Sequence, residues 1–389
     1  MVPQDDGHAC MKIKDLFEAA APTIGRKYQH IEDLVFTNGS TGGLHAVERL
    51  RHMGEEGGSI ELKWDGNPVV YWGRDEDGTF SMVPKNAWEY AKRGKMELEN
   101  GVQIKARSPK DIVAFITGTG KPTPEQSKVR QEFAGQIASL WPLLEKASPQ
   151  QGYLEGGVLF RPGQEPVLNK QTNEYDFTPN ITTFHVPATG DLGRRISQAK
   201  MMIAATGFYP HFGSSDEGRL DNLEQLSTPD VIVQGTTYVE EPPQLDSKGL
   251  DDVEKFITKN ASAIDTFLSP KKGLSKPGDA IYKFLNQNLR GVGLVPAFAN
   301  WAKTNLSAGQ QQLMLGDTAG LTAVLTAVEK LTRVKEHMIS QLSKGTHGGI
   351  KQTKPEGYAQ AHPNREFKNP MPGQFVKTIS QQTWAPKKD

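Results

Sequence analysis

Cysteine is almost missing from this chain: Cys10 stands alone among 389 residues. A single thiol excludes an intramolecular disulfide framework and fits a reducing compartment. An excess of either charge is missing too, because Lys plus Arg and Asp plus Glu both number 45. No global basic field advertises nucleic acid, so a polyanion would have to be held by a local patch. No apolar run approaches the ~18 residues of a membrane helix, and Met1-Val2-Pro3-Gln4-Asp5-Asp6 lacks the basic-then-apolar order of a secretion signal. These absences read as a soluble, cytosolic protein. The length exceeds a typical single domain, which leaves one large domain with insertions or two domains.

Several familiar motifs are absent as well. Gly118-Thr119-Gly120-Lys121 suggests a phosphate loop, but Pro122 follows the lysine and Phe115 stands where the first glycine belongs. Gly291-Val292-Gly293 lacks the third glycine of a dinucleotide fingerprint and follows a helical pattern rather than a strand. The nine histidines are scattered without metal-ligand spacing, and His185 reads as a core or edge residue of a strand. No internal repeat is evident.

The pattern along the chain falls into zones. Residues 1–58 form a helical lead-in, with apolar residues at helical spacing over 11–21 and 43–53. Residues 59–214 mix strand-like runs at 60–63, 69–72, 80–83, 153–160 and 181–186 with helical stretches at 111–116 and 125–146. From about residue 197 to 342 the pattern is mostly helical, and residues 215–345 read as a helical insertion. Residues 346–389 return to strand-like sequence at 357–359 and 375–379. The class is α+β rather than a regular βαβ alternation.

What stands out is Glu61-Leu62-Lys63-Trp64-Asp65-Gly66. On a strand Glu61, Lys63 and Asp65 project to one face while Leu62 and Trp64 pack on the other. A lysine acts as a nucleophile once it sheds its proton, which calls for a partly desolvated pocket or a nearby cation. Gly66 permits a tight turn or a close ligand approach. Taken alone, the same residues also describe a surface hairpin turning at Asp65-Gly66-Asn67-Pro68.

With its downstream partners, the motif resembles that of the ATP-dependent polynucleotide ligases, in a phage-type atypical form, within the superfamily of covalent nucleotidyltransferases that includes the mRNA capping enzymes. Glu61-x-Lys63-x-Asp65-Gly66 is similar to their first motif, and Pro84-Lys85-Asn86 to the next element, about twenty residues on. Tyr153-Leu154-Glu155-Gly156-Gly157 resembles the acidic strand motif. The segment from Thr178 to Val186, with Phe184, resembles the aromatic strand that stacks on the purine. Lys354-Pro355-Glu356-Gly357 resembles the Glu-Gly motif, and Gln374 to Ile379, with Lys377, the last motif. Three departures stand out: Pro68 in place of Arg or Asn, Gly157 in place of a second acid, and one lysine in the last motif, unless Lys368 takes the second role.

The resemblance implies a nucleotidyltransferase domain of ATP-grasp-like antiparallel sheets carrying the helical insertion, and an ATP-dependent ligase working through a lysyl-AMP intermediate. It implies Lys63, Asp65 and Lys377 as catalytic residues. Glu61, Gly66, Lys85, Phe184, Glu356 and Lys377 would contact ATP, and Glu155 and Glu356 would hold Mg²⁺. The partner is an RNA or DNA end, in the host cytoplasm for a phage-encoded enzyme. The short stretch after Lys377 points toward an RNA-ligase-like or atypical enzyme, with Lys271, Lys272, Lys276, Lys330, Arg333 and Lys335 as a candidate polynucleotide grip. Two other classes share these residues: a nucleotide-binding protein with a degenerate transferase domain, and a phage structural component.

Overall fold

The computed structural model describes residues 29–55, 60–64, 66–180, 182–216, 220, 223–235, 237, 239–287, 293–353, 357–360 and 377–380. Its strands, in chain order, are β1 (Gln29–His30), β2 (Ile60–Leu62), β3 (Val69–Arg74), β4 (Phe80–Pro84), β5 (Gly152–Phe160), β6 (Val167–Asn169) and β7 (Glu174–Phe177). They continue with β8 (Thr183–Pro187), β9 (Met201–Tyr209), β10 (Val231–Gln234), β11 (Lys351–Thr353), β12 (Gly357–Gln360) and β13 (Lys377–Ser380). The fold is mixed α+β with predominantly antiparallel sheets. It divides into two compact units. One lies within residues 64–180 and 186–236, the other within 29–63, 182–185 and 237–380.

In the first unit a five-stranded sheet runs in the order β10-β9-β5-β3-β4. All its pairings are antiparallel except that of β9 with β10. β5 is buried along its whole length, as expected of a strand with neighbours on both edges and packing on both faces. Helix Lys85–Lys92 lays Ala87, Trp88 and Ala91 into the core, where Trp88 stacks on Tyr71 with ring centroids 4.4 Å apart. Trp72 is fully buried, and its indole N–H donates to the Ala147 carbonyl at 3.0 Å, so its polar edge is satisfied. Helix Pro124–Ala138 begins in a capping box in which Thr123 and Gln126 satisfy each other's backbone. β6 and β7 form a hairpin whose turn places Asn173 at φ 56°, a conformation asparagine tolerates.

β9 and β10 depart from the expectation of helix from about residue 197. Met201-Met202-Ile203-Ala204-Ala205 contains good helix formers, but it lies between β5 and β10, and Met201 to Ala204 are fully buried. Burial between two strands overrides local propensity.

The second unit holds a four-stranded sheet, β1-β13-β12-β2, antiparallel except for β1 beside β13. It also holds the antiparallel pair of β11 with the Thr183–His185 part of β8. Its helices include Leu34–Glu55, Ser247–Lys259, Ala261–Leu268 and the long Thr318–Leu342, and the first of these packs on each of the other three. Helices that the sequence divides between a lead-in and an insertion thus share one core. Helix Leu34–Glu55 kinks at Asn38-Gly39, where Gly39 takes φ 66°. Asp265 caps the restart, accepting the Ser40 N–H at 2.7 Å and the Ser40 hydroxyl at 2.8 Å. Thr318–Leu342 starts from Asp317, whose carboxylate accepts the Gly320 N–H. It then buries Leu321, Val324, Leu325, Val328 and Leu331 at helical spacing.

Candidate functional site

The lysine that carries the motif leaves the sheet of the second unit. β2 is bonded on both edges: it pairs antiparallel with β12, and on the other side Leu62 donates to the Thr237 carbonyl while Val239 donates to that of Ile60, each at 2.8 Å. Ile60 and Leu62 are buried and Glu61 and Lys63 half-buried, the alternation a one-sided strand requires. Lys63 follows β2 directly, so its backbone is fixed by a strand with two partners rather than by a free hairpin.

The same sheet contains the segments of the last two motifs. β12 begins at Gly357, directly after Glu356, and β13 begins at Lys377. Residues about 300 positions apart in the chain are thereby brought within two strand spacings, ~10 Å. The register puts Lys377 level with Gln360 and Ile60, whereas Thr378 is level with Ala359 and Glu61. Lys377 thus shares a sheet with the strand leading to Lys63, but its row is that of Ile60, three residues before Lys63 and of opposite parity on the strand. Asp65 and Glu356 lie outside the described residues.

Phe184 lies on β8 opposite Gln352 and has no exposed ring area. Stacking on a purine needs an accessible face, so Phe184 is a core residue here and not the nucleotide platform. His185 is half-buried opposite Lys351, its Nε2 2.7 Å from the Thr353 hydroxyl.

In the first unit the residues after the lysine are clamped against β5. A Cβ on Gly66 would lie 2.2 Å from the Gly157 carbonyl carbon, and one on Gly157 would lie 2.8 Å from the Gly66 Cα. The Asn67 N–H donates to the Val158 carbonyl at 2.8 Å, and the Val158 N–H to that of Pro68 at 2.9 Å. Gly157, a departure from the ligase pattern, is what allows the motif loop to seat on the strand. Lys85 is exposed at the first turn of helix Lys85–Lys92.

Glu155 points into the aromatic core of this unit and is 8% exposed. Its Oε2 accepts the Tyr209 hydroxyl at 2.9 Å. Burial, and next the neighbouring Glu155 carboxylate, raise the Tyr71 hydroxyl well above its usual pKa. A magnesium ion keeps several waters and near-octahedral geometry. A buried carboxylate bonded to Tyr209 and beside Tyr71 fits that demand poorly, and Glu155 serves the packing of this core. The missed partner was Tyr209, hidden because β9 reads as helix.

Beside the Asn67-Pro68 loop opens a cleft of about 440 Å³, walled by the end of β5, Arg161, helix Pro124–Ala138 and the segment from Asp176 to Pro179. Its apolar lining includes Phe133, Phe160 and Phe177. The signal for it was the turn Arg161-Pro162-Gly163, which breaks β5, with Gly163 at φ 83°.

Residues 27–92 match the model of a family of unknown function, DUF6267. The matched stretch runs from the start of the second unit's sheet through Lys63 and the clamped loop to the end of helix Lys85–Lys92. No curated protein and no solved structure matches the chain. Among the described residues no helix is long and apolar enough to cross a membrane.

Of the basic residues in the helical block, Lys335 is buried and bonded to Glu32 at 2.5 Å, which removes it from any surface grip. Lys271 lies over the Phe267 ring and Lys330 over the Phe256 ring.

Proposed function

We propose that the chain is a covalent nucleotidyltransferase of the polynucleotide-ligase type, taking AMP from ATP onto Lys63 and passing it to a nucleic-acid 5′-phosphate. The Lys63 amine attacks the α-phosphorus, a nitrogen–phosphorus bond forms, and the bridging α–β oxygen leaves with pyrophosphate. The 5′-phosphate of a strand then attacks the adenylyl phosphorus and frees the lysine. A 3′-hydroxyl attacks the activated phosphate and expels AMP. What supports this reading is the sheet β1-β13-β12-β2, because it gathers the strand leading to Lys63 with the two strands that follow Glu356 and begin at Lys377. Chance motifs spread over some 300 residues have no reason to fall on adjacent strands.

Besides supplying the nucleophile, this chain positions it. A doubly bonded β2 fixes the backbone that leads to Lys63, and orientation of a nucleophile is a large share of such catalysis. Mg²⁺ would accompany the triphosphate and neutralise its charge. Glu155, buried against Tyr209, is a poor ligand for it. An RNA or DNA end is the acceptor in this reading.

A second reading, a nucleotide-binding protein that forms no adduct, is favoured by the enclosed Glu155 and Phe184. One experiment separates the two. Incubation with α-labelled ATP and Mg²⁺ followed by a denaturing gel labels the wild-type chain and not Lys63→Ala if the proposal is right. An unlabelled wild-type chain that still binds ATP supports the second reading.

A further inference from the structure

The cleft in the first unit carries a charged group that no described residue pairs with. Arg161 lines it half-buried, and its guanidinium makes no hydrogen bond or ion pair among the described residues. Burial alone lowers its pKa, with no acid raising it in compensation, yet an arginine stays charged at neutral pH. A desolvated cation without a counter-ion costs stability and is retained where an anion completes it.

The rest of the lining narrows the anion. Asn67, Gln136 and Gln164 bring side-chain amides to the walls, which can both donate to and accept from the edge of a nucleobase. Glu165 and Asp176 also line the cleft, engaged by the Gly163 N–H at 2.9 Å and the Asn169 side-chain amide at 3.3 Å. One guanidinium can pair with one phosphate at most, and the two carboxylates oppose the added charge of a triphosphate. A volume of about 440 Å³ accommodates a mononucleotide. We propose that this cleft is a nucleoside 5′-monophosphate subsite in which the Arg161 guanidinium grips the phosphate and the amide-bearing walls meet the base.

This subsite does not rest on the Lys63 chemistry, and the test keeps the two apart. The full chain is titrated calorimetrically in EDTA, where Mg²⁺-dependent adenylation is off, with AMP, adenosine and ATP. AMP should bind saturably and more tightly than either of the others. Arg161→Gln should weaken AMP by about 10- to 100-fold, the loss expected for a charge-assisted contact, while Arg161→Lys recovers part of it and Lys63→Ala leaves it unchanged. A 5′-phosphorylated tetranucleotide and its 5′-hydroxyl counterpart, run in parallel, tell whether a strand end or a free nucleotide is the better source of the phosphate. Equal binding of AMP and adenosine, no AMP binding at all, or wild-type AMP affinity in Arg161→Gln would overturn the assignment. Thermal melting checks that each variant is folded, and Gln164→Ala, expected to weaken AMP and adenosine alike, carries the test if Arg161→Gln does not fold.

Discussion

Replacing Gly66 with alanine inserts a methyl where two backbones already touch. The added Cβ would stand 2.2 Å from the Gly157 carbonyl carbon and 2.4 Å from its oxygen, against an ordinary contact near ~3.5 Å. Neither neighbour is a side chain that can rotate away, so the loop has to retreat by about an ångström. Retreat loosens the Asn67-to-Val158 and Val158-to-Pro68 hydrogen bonds, worth ~1 kcal/mol each, and adds an overpacking cost of ~1–3 kcal/mol. The expected loss in urea denaturation is therefore ~3 kcal/mol, a large part of a typical domain's stability but less than the whole. Gly157→Ala presses on the same contact from the opposite side. Once one methyl has displaced the loop the second costs less, so the double variant should lose less than the sum of the singles. Gly135, exposed in mid-helix with nothing within 4 Å of its would-be Cβ, is the control: its alanine variant should gain up to ~1 kcal/mol. A Gly66→Ala protein within ~0.5 kcal/mol of wild type would refute the clamped loop.

Lys335→Met strands the buried Glu32 carboxylate and should cost ~3–5 kcal/mol by urea denaturation, whereas the double variant Glu32→Gln/Lys335→Met should recover most of it; equal losses in both would contradict the pair. Burial raises Tyr358 to about 12 and also raises Tyr71 and Tyr153. The unfolded chain then releases these phenolic protons first, so stability is full below pH 10 and falls as pH rises toward 12. Phenolate absorbance should show part of the nine tyrosines ionising only with unfolding, and a single common titration near the ordinary tyrosine value with the fold intact would disprove it.

Much of the strand content around Lys63 was legible because alternation of apolar and polar residues is a local signal, and β2, β3, β4 and β5 lie on the expected runs. The long helix Thr318–Leu342 falls in the stretch that reads as mostly helical. The stretch 125–146 reads as one helix but is two, since the second starts anew at Trp141 with Pro142 in its first turn. β9 was illegible for a different reason: its methionines and alanines suit a helix, and only its place between β5 and β10 makes it a strand. Missing β9 meant missing Tyr209, and with it the reason Glu155 is buried. The site shows the same divide. Lys63 and the glycine after it were visible as a spacing, while Gly157 as a seat for Gly66, and Arg161 as a bare cation in a cleft, emerge only from contacts between distant segments.

The proposed chemistry begins at Lys63, and intact-mass spectrometry followed by peptide mapping reads it directly. After incubation with ATP and Mg²⁺, the wild-type chain should gain the mass of one adenylyl group, released by pyrophosphate and located on the peptide containing Lys63. An adduct on another lysine, or none in a chain shown to bind ATP, would contradict the account.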